Sequence, residues 1–240
     1  MLSPGILWLA QRVLPEFVIE RIDPFNHSIK AFVRQAAQEA LEDCWVLDAG
    51  AGEGIYRRFF SQARYIALDN GIGDKSWDYS GLNVLADLAF LPFKDKSFHT
   101  VLNIVVLEHL SEPQKALREL FRVLKAPGKL YIVVPQGWEL HQKPYDYQRF
   151  TCYGLEKVLL GSGFVVERLE PIGGYFWYLG RRLMHILYFC QRGWKIIFLL
   201  LLAPIFGLII PLLCFYLDRW DKEKDHTLGY LCVARKGSEE

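Results

Sequence analysis

Val46-Leu47-Asp48-Ala49-Gly50-Ala51-Gly52-Glu53-Gly54 is the stretch on which the fold turns. An apolar run reaches an aspartate, and three glycines follow at alternate positions before a helical pattern begins at Ile55. Glycine enters backbone conformations closed to other residues and lets a ligand approach without a Cβ in the way. A strand, a glycine turn and a helix start in succession make a binding site of nucleotide size.

Outward from this loop, strands and helices alternate. Strands are predicted over 44–48, 64–69, 83–86, 99–104, 129–135, 164–169 and 230–235, with helices over 28–42, 55–62, 111–124 and 151–161. Leu117, Leu120, Phe121 and Leu124 form the apolar stripe of the third helix, and Ser111 with Gln114 reads as a capping box at its start. Such alternation implies a doubly wound α/β sheet with helices on both faces, which binds ligands at the carboxyl ends of its strands. The special residues fall there: Asp48–Gly54 after strand one, Asp69 ending strand two, Asp87 after strand three and Asn103 near the end of strand four.

The 240 residues suffice for one sizeable core, and the formal net charge of +1 gives no bulk electrostatic case for a nucleic-acid partner. Apolar residues make up 52% of the chain, high for a soluble domain, and the excess is local. Five cysteines are scattered without CxxC or Cys/His spacing, so neither a disulfide framework nor a metal site is expected, and buried free thiols are. The apolar segment 1–19 lacks a basic leading region and a small-residue cleavage site, so a secretory signal is not expected.

The ordered set of motifs resembles the class I S-adenosylmethionine-dependent methyltransferases of the small-molecule type (methyltransferase type 11-like). The resemblance rests on VLDAGAGEG at 46–54, YIALD at 65–69, ADLAFLPFKDKSFHTVLNIVVLEHL at 86–110 and RELFRVLKAPGKLYIVVP at 118–135. It covers 43–169 and resumes at Tyr230. It implies a Rossmann-like seven-stranded sheet whose last strand is antiparallel and lies between strands five and six. It implies S-adenosyl-L-methionine as cofactor, with Gly50, Gly52 and Gly54 passing close to the methionine part and Asp48 orienting the loop and the amino group. Asp69 would take the two ribose hydroxyls, Asp87 the adenine amine, the Leu88 backbone N–H the ring, and Asn103 would border the methionine end. A dinucleotide oxidoreductase is the nearest rival for the loop. Its G-x-G-x-x-G fingerprint fails here, because position 55 is Ile, and it leaves Asp87 unexplained.

The acceptor side is expected in the segment 136–151, which is dense in aromatic and ionisable groups. His141 is a candidate general base and Asp146 its orienter. Trp138, Tyr145, Tyr147 and Arg149 would wall the pocket, with His109 from VLEHL beside it. The alternative makes Asp146 and Arg149 a structural pair, His109 a packed histidine and Thr151 the cap of the next helix.

Residues 196–217 carry no charge over a length that spans a bilayer. With strand seven beside strand six, both ends of this insert lie on one side, so a monotopic arrangement is expected. A basic, aromatic helix over 180–190 would lie in the interface, and 196–217 would dip in and return by bending at Pro204 and Gly207, with Pro211 as a further bend point. The organisation expected is a helical segment over 1–43, a methyltransferase domain over 44–171 and 228–236, and a membrane-associating insert over 172–227. The expected location is the cytoplasmic face of a membrane, peripheral or monotopic, with a single-pass chain as the alternative. The expected acceptor is a small, lipid-like molecule: a lipid, a quinone or a lipid-linked sugar. The competing readings are a non-catalytic tethered scaffold and a methyltransferase acting on a protein or soluble metabolite.

Overall fold

The computed structural model describes residues 14–74, 76–190 and 193–237. Residues 1–13 of the apolar segment 1–19 lie outside the described residues. The chain divides into two compact units: Ile29–Glu170 with Gly229–Glu240, and Met1–Ser28 with Pro171–Leu228. The stretch 1–43, read as one helical segment, is thus shared between them.

In described chain order the elements are α1 (Glu16–Ile22), α2 (Pro24–Glu39), β1 (Trp45–Ala49), β2 (Arg64–Asp69), β3 (Val84–Leu85), β4 (Phe98–Ile104), α3 (Pro113–Val123), β5 (Leu124–Pro135), α4 (Cys152–Leu160), β6 (Phe164–Pro171), α5 (Tyr175–Met184), α6 (Ile196–Pro204), α7 (Ile210–Leu217) and β7 (Gly229–Lys236). The strands form one seven-stranded sheet in the order β3-β2-β1-β4-β5-β7-β6. β1 pairs in parallel with β2 and β4, β2 with β3 and β4 with β5, while β7 runs antiparallel to β5. Val46, Leu47, Val101, Leu102, Ile132 and Val134 are fully buried, as strands covered on both faces must be. Each such side chain contributes roughly 1.5–3 kcal/mol of burial. α3 lays Ala116, Leu117, Leu120 and Val123 into this core, and Phe121 meets Phe164 edge-on at 5.2 Å.

Two local expectations are corrected. The helix predicted over 55–62 is a single 3₁₀ turn, Ile55–Phe59. Phe60 turns inward, buried against Tyr65, and pulls the chain back toward β2 before a second turn forms. The capping box at Ser111 does not form. Proline's fixed φ suits the first helical position, so α3 starts at Pro113, and Glu112 becomes the flanking residue without a side-chain cap. Thr151 does cap α4, accepting from the Gly154 N–H at 3.1 Å.

The other unit is a helical hairpin. One limb is α5 followed by a 3₁₀ stretch His185–Cys190. The other is a continuous helix from Ile196 to Trp220, 25 residues, made of α6, a π-helical turn Ile205–Ile209, α7 and a 3₁₀ turn Asp218–Trp220. The chain does not turn back at Pro204 and Gly207: it stays helical from Ile196 to Trp220, with a π-helical turn at Ile205–Ile209 directly after Pro204. The return is made instead by the antiparallel limbs. Trp177 stacks on Phe215 at 5.3 Å, Gly180 lies against Cys214 and Pro211, and Gly207 against Leu187. The base is closed by Asp218, buried, which accepts from the Gly174 and Trp177 N–H groups at 3.0 Å and pairs with Lys224 at 3.0 Å. Thr227 donates to the Ile172 carbonyl at 3.0 Å, tying the two ends of the insert together.

Candidate active site at the carboxyl edge of the sheet

The glycine loop leaves β1 in left-handed backbone: φ is +91° at Gly50, +53° at Gly52 and +68° at Gly54. A Cβ on Gly50 would stand 2.5 Å from Val106, and one on Gly52 2.8 Å from the Trp77 ring. The first two positions therefore need glycine for space as well as for backbone freedom. The loop is pinned from β2: Gly50 and Ala51 donate to the Leu68 carbonyl at 2.8 and 2.9 Å, and Gly52 donates to an Asp69 carboxylate oxygen at 2.9 Å.

The four acids and amides expected here differ in state. Asp69 accepts from Gly52 through one oxygen and from Gly71, at 2.9 Å, through the other. A carboxylate has about four acceptor positions, so two remain for a diol. Asp48 is buried and bonded by the Tyr65 hydroxyl. Burial pushes its carboxyl up to about 7 against that bond, with the Asp69 charge adding to the rise. Asp87 accepts from the Ala89 N–H at 2.8 Å in a tight turn, and Leu88 beside it enters the core. Asn103 is fully buried within β4 and donates to the Ala49 carbonyl at 2.9 Å, bracing the strand from which the glycine loop departs.

Beyond β4 the backbone is forced. Val105, a β-branched residue, has φ +59°, an outlier conformation that aims Val106 at Gly50. The 3₁₀ turn Leu107–His109 follows. The 136–151 segment folds back over this turn: Tyr147 N–H donates to the Glu108 carbonyl at 2.9 Å, and His109 Nδ1 to the Tyr145 carbonyl at 2.9 Å. His141 and His109 meet edge-on with their Nε2 atoms 3.0 Å apart. Asp146 accepts from the His141 backbone N–H at 2.9 Å, lies 3.2 Å from His141 Nδ1, and holds Arg149 through both its oxygens. Asp146 thus contacts both Arg149 and His141, the partners named in the two readings of the sequence. Burial raises the Asp146 carboxyl, but Arg149 and the His141 N–H outweigh it and hold the group at about 2. At His141 burial disfavours the charged ring, while Glu108 and Asp146 favour it and win, so its basicity is raised. Tyr145 and Tyr147 are exposed at the rim, and Trp138 and Arg149 are half-buried in the same segment.

Trp77 and Tyr79, on the loop after β2, were not singled out from the sequence. Trp77 covers Gly52, and Tyr79, Trp77 and Gln142 converge on Gly73, so the β2 loop and the 136–151 segment meet above the glycines. No motif marks them. Glu108, beside His109 in VLEHL, is fully buried and lies 3.6 Å from His109 Nε2 and 3.5 Å from His141 Nε2.

A Rossmann-like sheet with the glycine loop, Asp69 and Asp87 along one carboxyl edge defines a nucleoside-binding α/β protein of the methyltransferase class. The family described as "Methyltransferase domain" matches residues 47–132. An uncharacterized protein of Methanocaldococcus jannaschii is 39% identical over 181 residues, covering 70% of this chain and 76% of that one. A probable S-adenosylmethionine-dependent methyltransferase of Mycobacterium tuberculosis is 30% identical over 176 residues, covering 68% of this chain and 63% of that one, so this chain spans under two thirds of that relative. Among solved structures, a chain of the Haloferax volcanii complex between the Trm112 methyltransferase activator and a methyltransferase shares the fold at TM-score 0.58, with 18% identity and coverage of 97% and 96%. A [4+2]-cyclase shares it at TM-score 0.57 with 21% identity, covering 88% and 82%. The chain belongs to the class I S-adenosylmethionine-dependent methyltransferase family, whose cofactor is S-adenosyl-L-methionine.

Proposed function

We propose that this chain transfers a methyl group from S-adenosylmethionine to a small acceptor resident in a membrane: a lipid, an isoprenoid quinone or a lipid-linked sugar. The carrying observation is the alignment of Gly50–Gly54, Asp69 and Asp87 on the ends of three adjacent parallel strands. The sulfonium of the cofactor supplies a methyl carbon with a neutral thioether as leaving group, so alignment and exclusion of water carry most of the catalysis. Asp69 and the glycine loop hold the donor in this reading. An acceptor oxygen or nitrogen forms its bond to the methyl carbon as the carbon–sulfur bond breaks. His141, where its Nε2 is free, is the candidate base that takes the acceptor's proton.

The membrane part of the reading rests on the hairpin. Ile196, Ile197, Leu201, Ile209, Leu213, Tyr216 and Trp220 are each half or more exposed along one helix, an apolar surface too large for a soluble face. The paired limb adds exposed Tyr188 and Phe189, and in this reading its basic residues Arg181 and Arg182 face the headgroups. Both limbs start at one base, consistent with a monotopic device on the cytoplasmic face.

A labelled-methyl assay on membrane lipid extract, followed by mass analysis of the product, tests the activity. Transfer into the lipid fraction is expected; label confined to protein or soluble metabolites sinks the lipid acceptor. A calorimetric titration with S-adenosylmethionine separates an enzyme from a tethered scaffold, because a folded chain without binding leaves only the scaffold. Fractionation with salt and carbonate washes, beside a chain lacking 175–225, tests the membrane role; full-length protein found in the soluble fraction ends it.

A further inference from the structure

Glu108, His109 and His141 present one ligand atom each within 4.8 Å of one another. The two Nε2 atoms are 3.0 Å apart, and Glu108 Oε1 lies 3.6 Å from His109 Nε2 and 3.5 Å from His141 Nε2. Glu108 is fully buried, and neither of its carboxylate oxygens has a hydrogen-bond partner. A buried carboxylate left so is strongly unfavourable unless a cation or proton meets it.

The tautomers sharpen the demand. His109 Nδ1 faces the Tyr145 carbonyl at 2.9 Å, and His141 Nδ1 faces the Glu139 carbonyl at 3.2 Å and Asp146. Carbonyl oxygens only accept, so both Nδ1 atoms carry hydrogen, and in the neutral rings both Nε2 atoms are left as acceptors facing the same spot. Metal-binding histidines are held in this way, donating the other ring N–H to a carbonyl or carboxylate. Tetrahedral coordination with bonds of about 2.0–2.2 Å spaces its ligand atoms roughly 3.3–3.6 Å apart, close to the separations seen here.

We propose that Glu108, His109 and His141 bind a divalent transition metal of the zinc type through two imidazoles and one carboxylate, with a fourth position open. Imidazole donors favour zinc, cobalt or nickel over magnesium or calcium. Three protein ligands and an open position are the arrangement of reactive rather than structural zinc sites. The His109 and His141 side chains retain 10% and 16% exposure, so a fourth ligand reaches the position from outside. Asp146, clamped by Arg149, is the positioning residue for the His141 ring. That the fourth ligand is an oxygen of the methyl acceptor rests on the function proposed above; the metal site itself does not.

The test uses the full chain in detergent, stripped with a chelator and titrated with Zn²⁺ alone by calorimetry, with elemental analysis of the washed protein. One zinc per chain is expected. Glu108→Gln and His141→Asn should each weaken binding by about tenfold to hundredfold or more, with cooperative unfolding retained. Co²⁺ loaded into the wild-type chain should give the intense visible bands of tetrahedral coordination, and acetohydroxamate, a bidentate oxygen ligand, should shift them. The cobalt spectrum decides even where a variant fails to fold. Weak octahedral bands, substoichiometric zinc in the folded wild-type chain, or unchanged affinity in His141→Asn would each overturn the site and leave a shared proton between the imidazoles. A parallel titration with S-adenosylmethionine keeps the two readings apart. Cofactor binding without zinc ends the metal site alone, and zinc binding without cofactor ends the methyl-donor reading alone.

Discussion

Among single residues, the glycine loop offers an internal comparison. Gly50 and Gly54 both have positive φ, but a Cβ on Gly50 collides with Val106, whereas one on Gly54 makes ordinary contacts with Ala67 at 3.8 Å and the Gly81 carbonyl at 4.0 Å. Gly54→Ala should destabilise by about 1 kcal/mol from backbone conformation alone. Gly50→Ala should cost more, about 2–3 kcal/mol, and should also lower cofactor affinity; thermal unfolding and calorimetry measure the two effects. Asp48 sets a pH dependence. Its carboxyl sits at about 7 in the folded chain, above its ordinary value of 3.8, so the native state binds the extra proton between those two pH values. Stability from this group is full below about pH 4, falls as pH rises toward 7 and levels off above it. Urea midpoints across that range should decline for the wild-type chain, and Asp48→Asn should flatten the decline.

Between elements, two acids join what the sequence separates widely. Glu39, ending α2, accepts from Lys129 Nζ at 2.8 Å and Tyr131 OH at 2.6 Å on β5. These hydrogen bonds hold its carboxyl down at about 2, so its contribution is full above about pH 4.5 and is lost as pH falls toward 2, opposite in sign to Asp48. The group is half exposed, and Glu39→Gln should cost about 1 kcal/mol or less at neutral pH, read from the urea midpoint. Asp218 is buried and carries the N-terminus of α5 on its carboxylate. Asp218→Ala leaves two N–H groups and Lys224 without that partner and should cost about 2 kcal/mol or more. The loosened hairpin should show as faster amide exchange at Gly174–Trp177.

For the whole molecule, the consequence concerns where the chain resides. Leu201 and Leu213 are each more than half exposed, so Leu201→Glu with Leu213→Glu removes no core packing. The double variant should keep the wild-type unfolding temperature within a few degrees and leave the membrane fraction, since each glutamate costs about 2–3 kcal/mol at bilayer depth. A double variant still sedimenting with membranes after a salt wash would contradict insertion of this face.

Much of this was legible without coordinates. The strand sequence and the placement of Asp48, Asp69, Asp87 and Asn103 near strand ends follow from periodicity and motif order, which are local properties of the chain, whereas the sheet order with β7 between β5 and β6 is implied by the family resemblance. Two local readings failed: Phe60 turns inward and the helix after Gly54 stops at one turn, and the chain stays helical past Pro204 through a π turn where a return was expected. The sequence by itself determined the sheet, the glycine loop and the apolar insert, because each is written in contiguous residues. Only the tertiary structure decided that the insert returns as a paired hairpin, and that Glu108 and His109 meet His141 from 32 residues away. Spacing along the chain carries no record of a contact made when the 136–151 segment folds back over the end of β4. The glycine loop and Asp69 are therefore written in the chain, and the cluster of Glu108, His109 and His141 is assembled by folding.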